Sequence, residues 1–147
     1  MRHAALVLAV MLLASPATSE ELSVQQQNDK FEEEIRKRIA GRENEPAETV
    51  FKNIQWLKGI PAARLLRIMN MGYSRALGVT CVHCHTETDF ASDDKRPKRA
   101  AREMAVMHRA INEQLKEMKN LEAEGNARSI NCNTCHRGQV SPIASTR

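Results

Sequence analysis

All four cysteines of the chain fall into two copies of one five-residue frame, Cys81-Val82-His83-Cys84-His85 and Cys132-Asn133-Thr134-Cys135-His136. Each frame is C-x-x-C-H, the attachment signature of a c-type haem. Two thiols three residues apart on a helical turn reach the two vinyl groups of one porphyrin. The next residue brings a neutral imidazole to the iron from one side. A four-cysteine zinc site also uses paired C-x-x-C units, but has no need of a histidine after each pair. Two disulfides, which an exported protein permits, leave the histidines equally unexplained. A thioredoxin-like motif expects a βαβ pattern around its C-x-x-C, and none is visible. The frames therefore predict two covalent haems, with thioethers from Cys81, Cys84, Cys132 and Cys135 and proximal ligation by His85 and His136.

Composition fits that reading. The chain of 147 residues is long enough for one domain. It holds only one Trp, one Tyr and three Phe. A small domain needs large apolar bodies for its core, and a buried macrocycle supplies them. The 22 Lys and Arg are interleaved with 18 Asp and Glu, for a net charge of +4. With so few aromatics and no basic stripe, nucleic-acid binding is excluded.

The N-terminus reads as an export signal. Met1-Arg2-His3 is positive, Ala4 to Leu13 is apolar, and Ala14 to Ser19 is small and turn-prone. The apolar part is half the roughly 20 residues that a spanning helix needs. Residues 1–19 are expected to be cleaved, after Ala17 or Ser19, leaving a periplasmic protein with no transmembrane segment in the mature chain. Residues 20–45 are highly charged, with Glu32, Glu33 and Glu34 ahead of Arg36, Lys37 and Arg38. They predict a solvated helix or a mobile arm.

Residues 46–140 form the expected di-haem domain. Val50, Phe51, Ile54 and Leu57 fit one face of a helix over 46–57 that Gly59 closes. Pro61 opens a second helix to Ala76, ended by Gly78. Thr86 to Asp94 reads as a loop, in which Phe90 is placed to pack on a haem edge. Pro97 opens a long helix to about Glu124, with an apolar stripe of Met104, Met107, Ile111, Leu115, Met118 and Leu121, ended by Gly125 and Asn126. Residues 141–147 are an irregular tail. The fold class is all-α, a small multihaem cytochrome c built from a repeated helix–turn–C-x-x-C-H unit. Lys95, Arg96, Lys98, Arg99 and Arg102 read either as partners for haem propionates or an acidic protein, or as a solvated helix start.

The sixth iron positions are less constrained. His3 lies in the signal segment and His83 lies inside its own frame, so His108 is the remaining distal histidine. Methionine is the other common choice, although Met at helical spacing is often core filler. Met69 and Met71 precede the first frame, and Met104 and Met107 precede the second.

The runs Leu57-Lys58-Gly59-Ile60-Pro61, Leu65-Leu66-Arg67-Ile68-Met69 and Leu77-Gly78-Val79-Thr80-Cys81 resemble the cytochrome subunit family of photosynthetic reaction centres. So does Arg102-Glu103-Met104 with Met107, Ile111-Asn112 and the run Cys132 to Gly138. The resemblance covers roughly residues 48 to 140 and corresponds to one two-haem half of a four-haem subunit. It implies a Met on the preceding helix as distal ligand: Met69 for the first iron and Met104 for the second. The segment from Met69 to Cys81 is a residue longer than the family's, which leaves Met71 open. The connection from Met104 to Cys132 is longer too. Met107 and His108 remain rivals for the second iron.

Two six-coordinate irons have no open substrate site, so the expected activity is one-electron transfer by a carrier rather than an enzyme. The resemblance implies redox partners in a membrane-linked or periplasmic electron-transfer chain. The rival readings are a di-haem peroxidase or small-molecule reductase, and a gas-sensing haem module. Each requires one open iron site.

Overall fold

The computed structural model describes residues 21–121 and 128–142. Among these the elements are helical: α1 (Val24–Arg38), α2 (Ala47–Val50), α3 (Ala62–Arg67), a π-helical segment (Ile68–Ser74), α4 (Arg75–Leu77), a 3₁₀ turn (Cys81–His83), α5 (Arg96–Glu117) and α6 (Cys132–His136). The only pairing of extended backbone among them is an isolated antiparallel bridge between Pro46 and Pro61. The all-α expectation holds. The expected signal segment lies outside the described residues, as do the tail beyond Pro142 and the expected helix stop at Gly125 and Asn126.

Helix α1 begins with a capping box. Ser23 Oγ accepts from the Gln26 amide, and the Gln26 side chain accepts from the Ser23 amide. Three ion pairs at four-residue spacing run along it: Glu33–Lys37 and Glu34–Arg38 between exposed side chains, and Glu32–Arg36 at the edge of the packed side. The charged segment is thus helix rather than loose arm, and its inner face is packed. Ile39, just past its end, joins Ala62 and Leu66 in a buried cluster covered by Ile35, Val50 and Phe51. Asn28 is 1% exposed. Asn70 is also buried and binds α1 through three side chains, accepting from Gln25 and donating to Asp29 and Glu32.

Two expected helices differ in extent. The stretch 46–57 is helical only over Ala47–Val50. Phe51 is extended, and Asn53 turns left-handed (φ 60°) to donate its amide to Ala91 O and Asp93. The spacing that suggested one helix face is therefore an irregular wrap, yet Val50, Phe51, Ile54 and Leu57 all face the same cavity. The long helix stops at Glu117, because Met118 is extended (φ −75°, ψ 107°). Met118 and Leu121 leave the stripe and are exposed.

Helices α3 and α4 run on through the π-helical segment as one rod. A π turn carries more residues than an α turn, so it absorbs an additional residue while leaving the helix beyond it in place. The rod ends in a Schellman motif at Gly78 (φ +66°), with Val79 N–H donating to Ser74 O and Gly78 N–H to Arg75 O. A further end carbonyl, Ala76 O, accepts from Gly138 N–H at 2.9 Å. The end of the first helical unit therefore abuts the residues after the second frame. A Cβ on Gly78 would fall on the carbonyl oxygen of Gly138 and 3.0 Å from its carbon.

Candidate functional site

Each frame lies in its own cavity. The first, about 540 Å³, holds Cys81, Cys84 and His85 with Met69, Leu65, Leu66 and Leu77. The second, about 330 Å³, holds Cys132, Cys135 and His136 with Met71, Met104, Met107 and His108. Both volumes fall in the usual range of cofactor cavities, about 300–1,000 Å³. Trp56, Tyr73 and Ala101 line both cavities and so form their common wall. Trp56 and Tyr73 meet edge to face with ring centroids 6.5 Å apart, and burial pushes the Tyr73 hydroxyl well above its ordinary pKa.

The imidazoles share one device. His85 Nδ1 lies 2.8 Å from Phe90 O, and His136 Nδ1 lies 3.0 Å from Gln139 O. A carbonyl only accepts, so Nδ1 carries the hydrogen in both rings and Nε2 keeps its lone pair for a metal. Burial lowers the pKa of His85, aided by the nearby charges of Lys98, Lys95 and Arg102 and opposed by the Phe90 bond. The ring therefore stays neutral, as a ligand must. Phe90 does not stand alone against a haem edge: its ring stacks on His85 at 4.9 Å and meets Phe31 of α1 at 6.3 Å. Burial also raises the thiol pKa values of Cys81, Cys84 and Cys132, which keeps them as thiols rather than thiolates at neutral pH.

Two asparagines hold the approach to each frame: Asn28, which carries no signal in the sequence, and Asn112, which stands there only within the family-like run Ile111-Asn112. Asn28 donates to Val79 O at 3.0 Å and accepts from Cys81 N–H at 2.9 Å. Asn112 donates to Ile130 O at 3.1 Å and accepts from Ile130 N–H at 2.8 Å. Val79 and Ile130 each stand two residues before the first cysteine of a frame, so two different helices serve one function. His108 belongs to the same cluster, since its Nε2 lies 2.8 Å from Ile130 O and 2.9 Å from the Asn112 amide nitrogen. In the sequence, His108 and Asn112 are a polar pair beside the apolar stripe of α5.

Four side chains of the basic run 95–102, those of Lys95, Lys98, Arg99 and Arg102, bind the folded chain, while Arg96 is exposed. Lys95 donates to Val82 O, and Arg99 donates to Asp93 O and Asp94 O. Arg102 binds the Asp93 carboxylate at 2.5 Å and Asn53 O at 3.3 Å. Cations at a helix N-terminus oppose its dipole, and the carbonyls of the 90–94 loop offset that here.

The zinc alternative lacks its donor set. The cysteines are divided between two cavities, and among the described residues no group of three or more His, Cys, Asp or Glu is placed to hold a metal ion. What the residues do fit is a haem: paired thiols, an oriented imidazole and an apolar wall carrying methionine. That constellation on an all-α scaffold defines a c-type cytochrome, a carrier of electrons on covalently bound haem c.

The chain belongs to the family described as photosynthetic reaction centre cytochrome C subunit, whose sequence model matches residues 12–145. It is 39% identical over 85 residues to cytochrome c-554 of Chloroflexus aurantiacus, covering 57% of this chain and 20% of that protein. It is 35% identical over 82 residues to the photosynthetic reaction center cytochrome c subunit of Rubrivivax gelatinosus, covering 50% and 22%. With the corresponding subunit of Roseobacter denitrificans it shares 34% over 102 residues, covering 67% and 27%. The chain thus spans about a fifth to a quarter of the length of these relatives. Among the described residues, no helix is long and apolar enough to cross a membrane.

Proposed function

We propose that this chain is an exported two-haem cytochrome that passes single electrons between redox proteins of a membrane-linked or periplasmic chain. The observation that carries the proposal is the pairing of one complete C-x-x-C-H frame with one cavity, twice over, across a shared wall. Haem supplies the one-electron chemistry when bound. The chain's own residues attach it, orient it and exclude water. Cys81 and Cys84 anchor the first haem, and Cys132 and Cys135 anchor the second. His85 and His136 ligate from the proximal side through Nε2.

Met69 is the distal ligand in the first cavity and Met104 in the second. Met69 is favoured because it shares a cavity with Cys81, Cys84 and His85, whereas Met71 lines the other one. His108 is disfavoured for the second iron because its Nε2 is engaged by Ile130. Met107 shares the second cavity, so Met104 rests there on its match to the family pattern. Methionine ligation with burial in an apolar shell raises the reduction potential. The family of the relatives supports a partner that is a membrane-bound redox complex.

The test is spectroscopy of protein matured with haem in an exporting host. The mass should exceed that of the polypeptide by two haems. Met69→Ala and Met104→Ala should each abolish part of the near-infrared methionine–iron band, while Met71→Ala and Met107→Ala leave it intact. Carbon monoxide should leave the reduced wild-type spectrum nearly unchanged. Stoichiometric binding to either haem would establish the peroxidase, reductase or sensor reading instead.

A further inference from the structure

We propose that Lys98 raises the reduction potential of the first haem above that of the second. It acts through the carbonyl that orients the proximal histidine, so Lys98 is a tuning residue rather than a ligand. The proposal rests on the reading of His85 and His136 as proximal ligands.

The Lys98 side chain is 11% exposed. Its ammonium group donates to Phe90 O at 2.8 Å, Ala91 O at 2.9 Å and Ser92 O at 2.7 Å, which occupies all three N–H bonds. Phe90 O is also the acceptor of His85 Nδ1–H, at 2.8 Å. One carbonyl is thus shared between the ligand and a nearly buried cation. Asp93 lies 3.3 Å from Lys98, but its other oxygen is held by Arg102 at 2.5 Å. One carboxylate faces two cations, so the cluster keeps net positive charge.

The cation acts in two ways, with the same sign. The ammonium draws electron density from Phe90 O, weakens its hold on the Nδ1 hydrogen, and makes the imidazole a poorer donor to the oxidised iron. Its charge also disfavours the more positive oxidised state directly. Both raise the potential. The second unit lacks this feature. His136 donates to Gln139 O at 3.0 Å, and among the described residues no lysine or arginine side chain donates to that carbonyl. An electron on the reduced second haem would therefore pass to the oxidised first haem. One iron is oxidised as the other is reduced, and no proton or further reactant is needed.

The test is a potentiometric titration of the haem-loaded protein, wild type against Lys98→Gln and Lys98→Arg. The first haem's couple is the one whose spectrum Met69→Ala alters. In the wild type that couple should be the higher of the two. Lys98→Gln, which keeps a donor and loses the charge, should shift the electron distribution about tenfold toward the second haem, or about 59 mV for one electron. Lys98→Arg should restore it. A wild type with the order reversed, an unmoved couple in Lys98→Gln, or equal shifts in both haems would overturn the proposal while leaving the two-haem reading intact. Absence of two haem couples in the wild type would overturn that parent reading, and this one with it.

Discussion

Asn28 shows how much one side chain carries here. It sits on a charged helix remote in sequence from the first frame, yet both ends of its amide bind backbone on either side of Thr80. Burial makes the bonds matter, because an orphaned buried donor or acceptor costs about 1–3 kcal/mol. Asn28→Ala strands Val79 O and Cys81 N–H together, and should destabilise the protein by about 2–4 kcal/mol in urea unfolding. A value near zero would mean that water replaces the amide freely. Asp93 makes a pH-dependent contribution. Its carboxyl is held far below the ordinary range, first by Arg102 and then by Asn53 and Lys98. Its folded-state pKa is depressed, so its stabilisation is complete above the unfolded value of about 3.9 and fades as pH falls through the folded value. Asp93→Asn should therefore melt below wild type at neutral pH, with the gap closing as the solution is acidified below about pH 4. A gap independent of pH would remove the ion pairs from the explanation.

At the scale of elements, the rod Ala62–Leu77 decides which methionine meets which cavity. Its π-helical segment sends Met69 toward the first frame and Met71 toward the second, and Asn70 between them is tied to α1. The rod's end is as constrained as its middle. Gly59 and Gly78 both have positive φ, but a Cβ at Gly59 meets nothing within 4 Å, whereas one at Gly78 strikes Gly138. Gly59→Ala should cost about 1–2 kcal/mol, the left-handed penalty alone. Gly78→Ala should cost about 3 kcal/mol or more, since overpacking adds about 1–3 kcal/mol. Chemical denaturation of the two variants checks the difference, and equal losses would show that the two units are not locked at this contact.

For the whole molecule, the question is what fills it. Among the described residues the buried apolar set is Ile39, Leu65, Leu66 and four alanines. Such a core cannot offset the conformational entropy of a chain this long, about 1–2 kcal/mol per residue for the backbone alone. The two cavities mark where further apolar volume belongs. Replacing all four cysteines by alanine, and so preventing haem attachment, should leave a chain without a cooperative thermal transition by circular dichroism. A sharp transition in that variant would show that the polypeptide folds without its cofactor.

Spacing alone was enough to read the chemistry of this chain. A C-x-x-C-H frame puts two thiols and an imidazole within reach of one macrocycle wherever the chain carries it, so the c-type cytochrome class and the all-α fold were legible from the sequence. Glycines and prolines likewise marked the rod from Pro61 to Gly78, because each acts on its own backbone. Long-range choices were not legible. The wrap of residues 51–57 comes from Asn53 binding the loop at Ala91, and the burial of α1 from Asn28 and Asn70 finding partners some 40 to 50 positions away. Lys98 reads as one more surface lysine until the loop it binds is folded over it. Local bonding patterns repeat with the helical period and can be counted along a chain. A contact between distant residues exists only once the backbone has brought them together, and that is where the tertiary structure decided which asparagine holds the approach to each frame, which methionines line each cavity and which loop Lys98 binds.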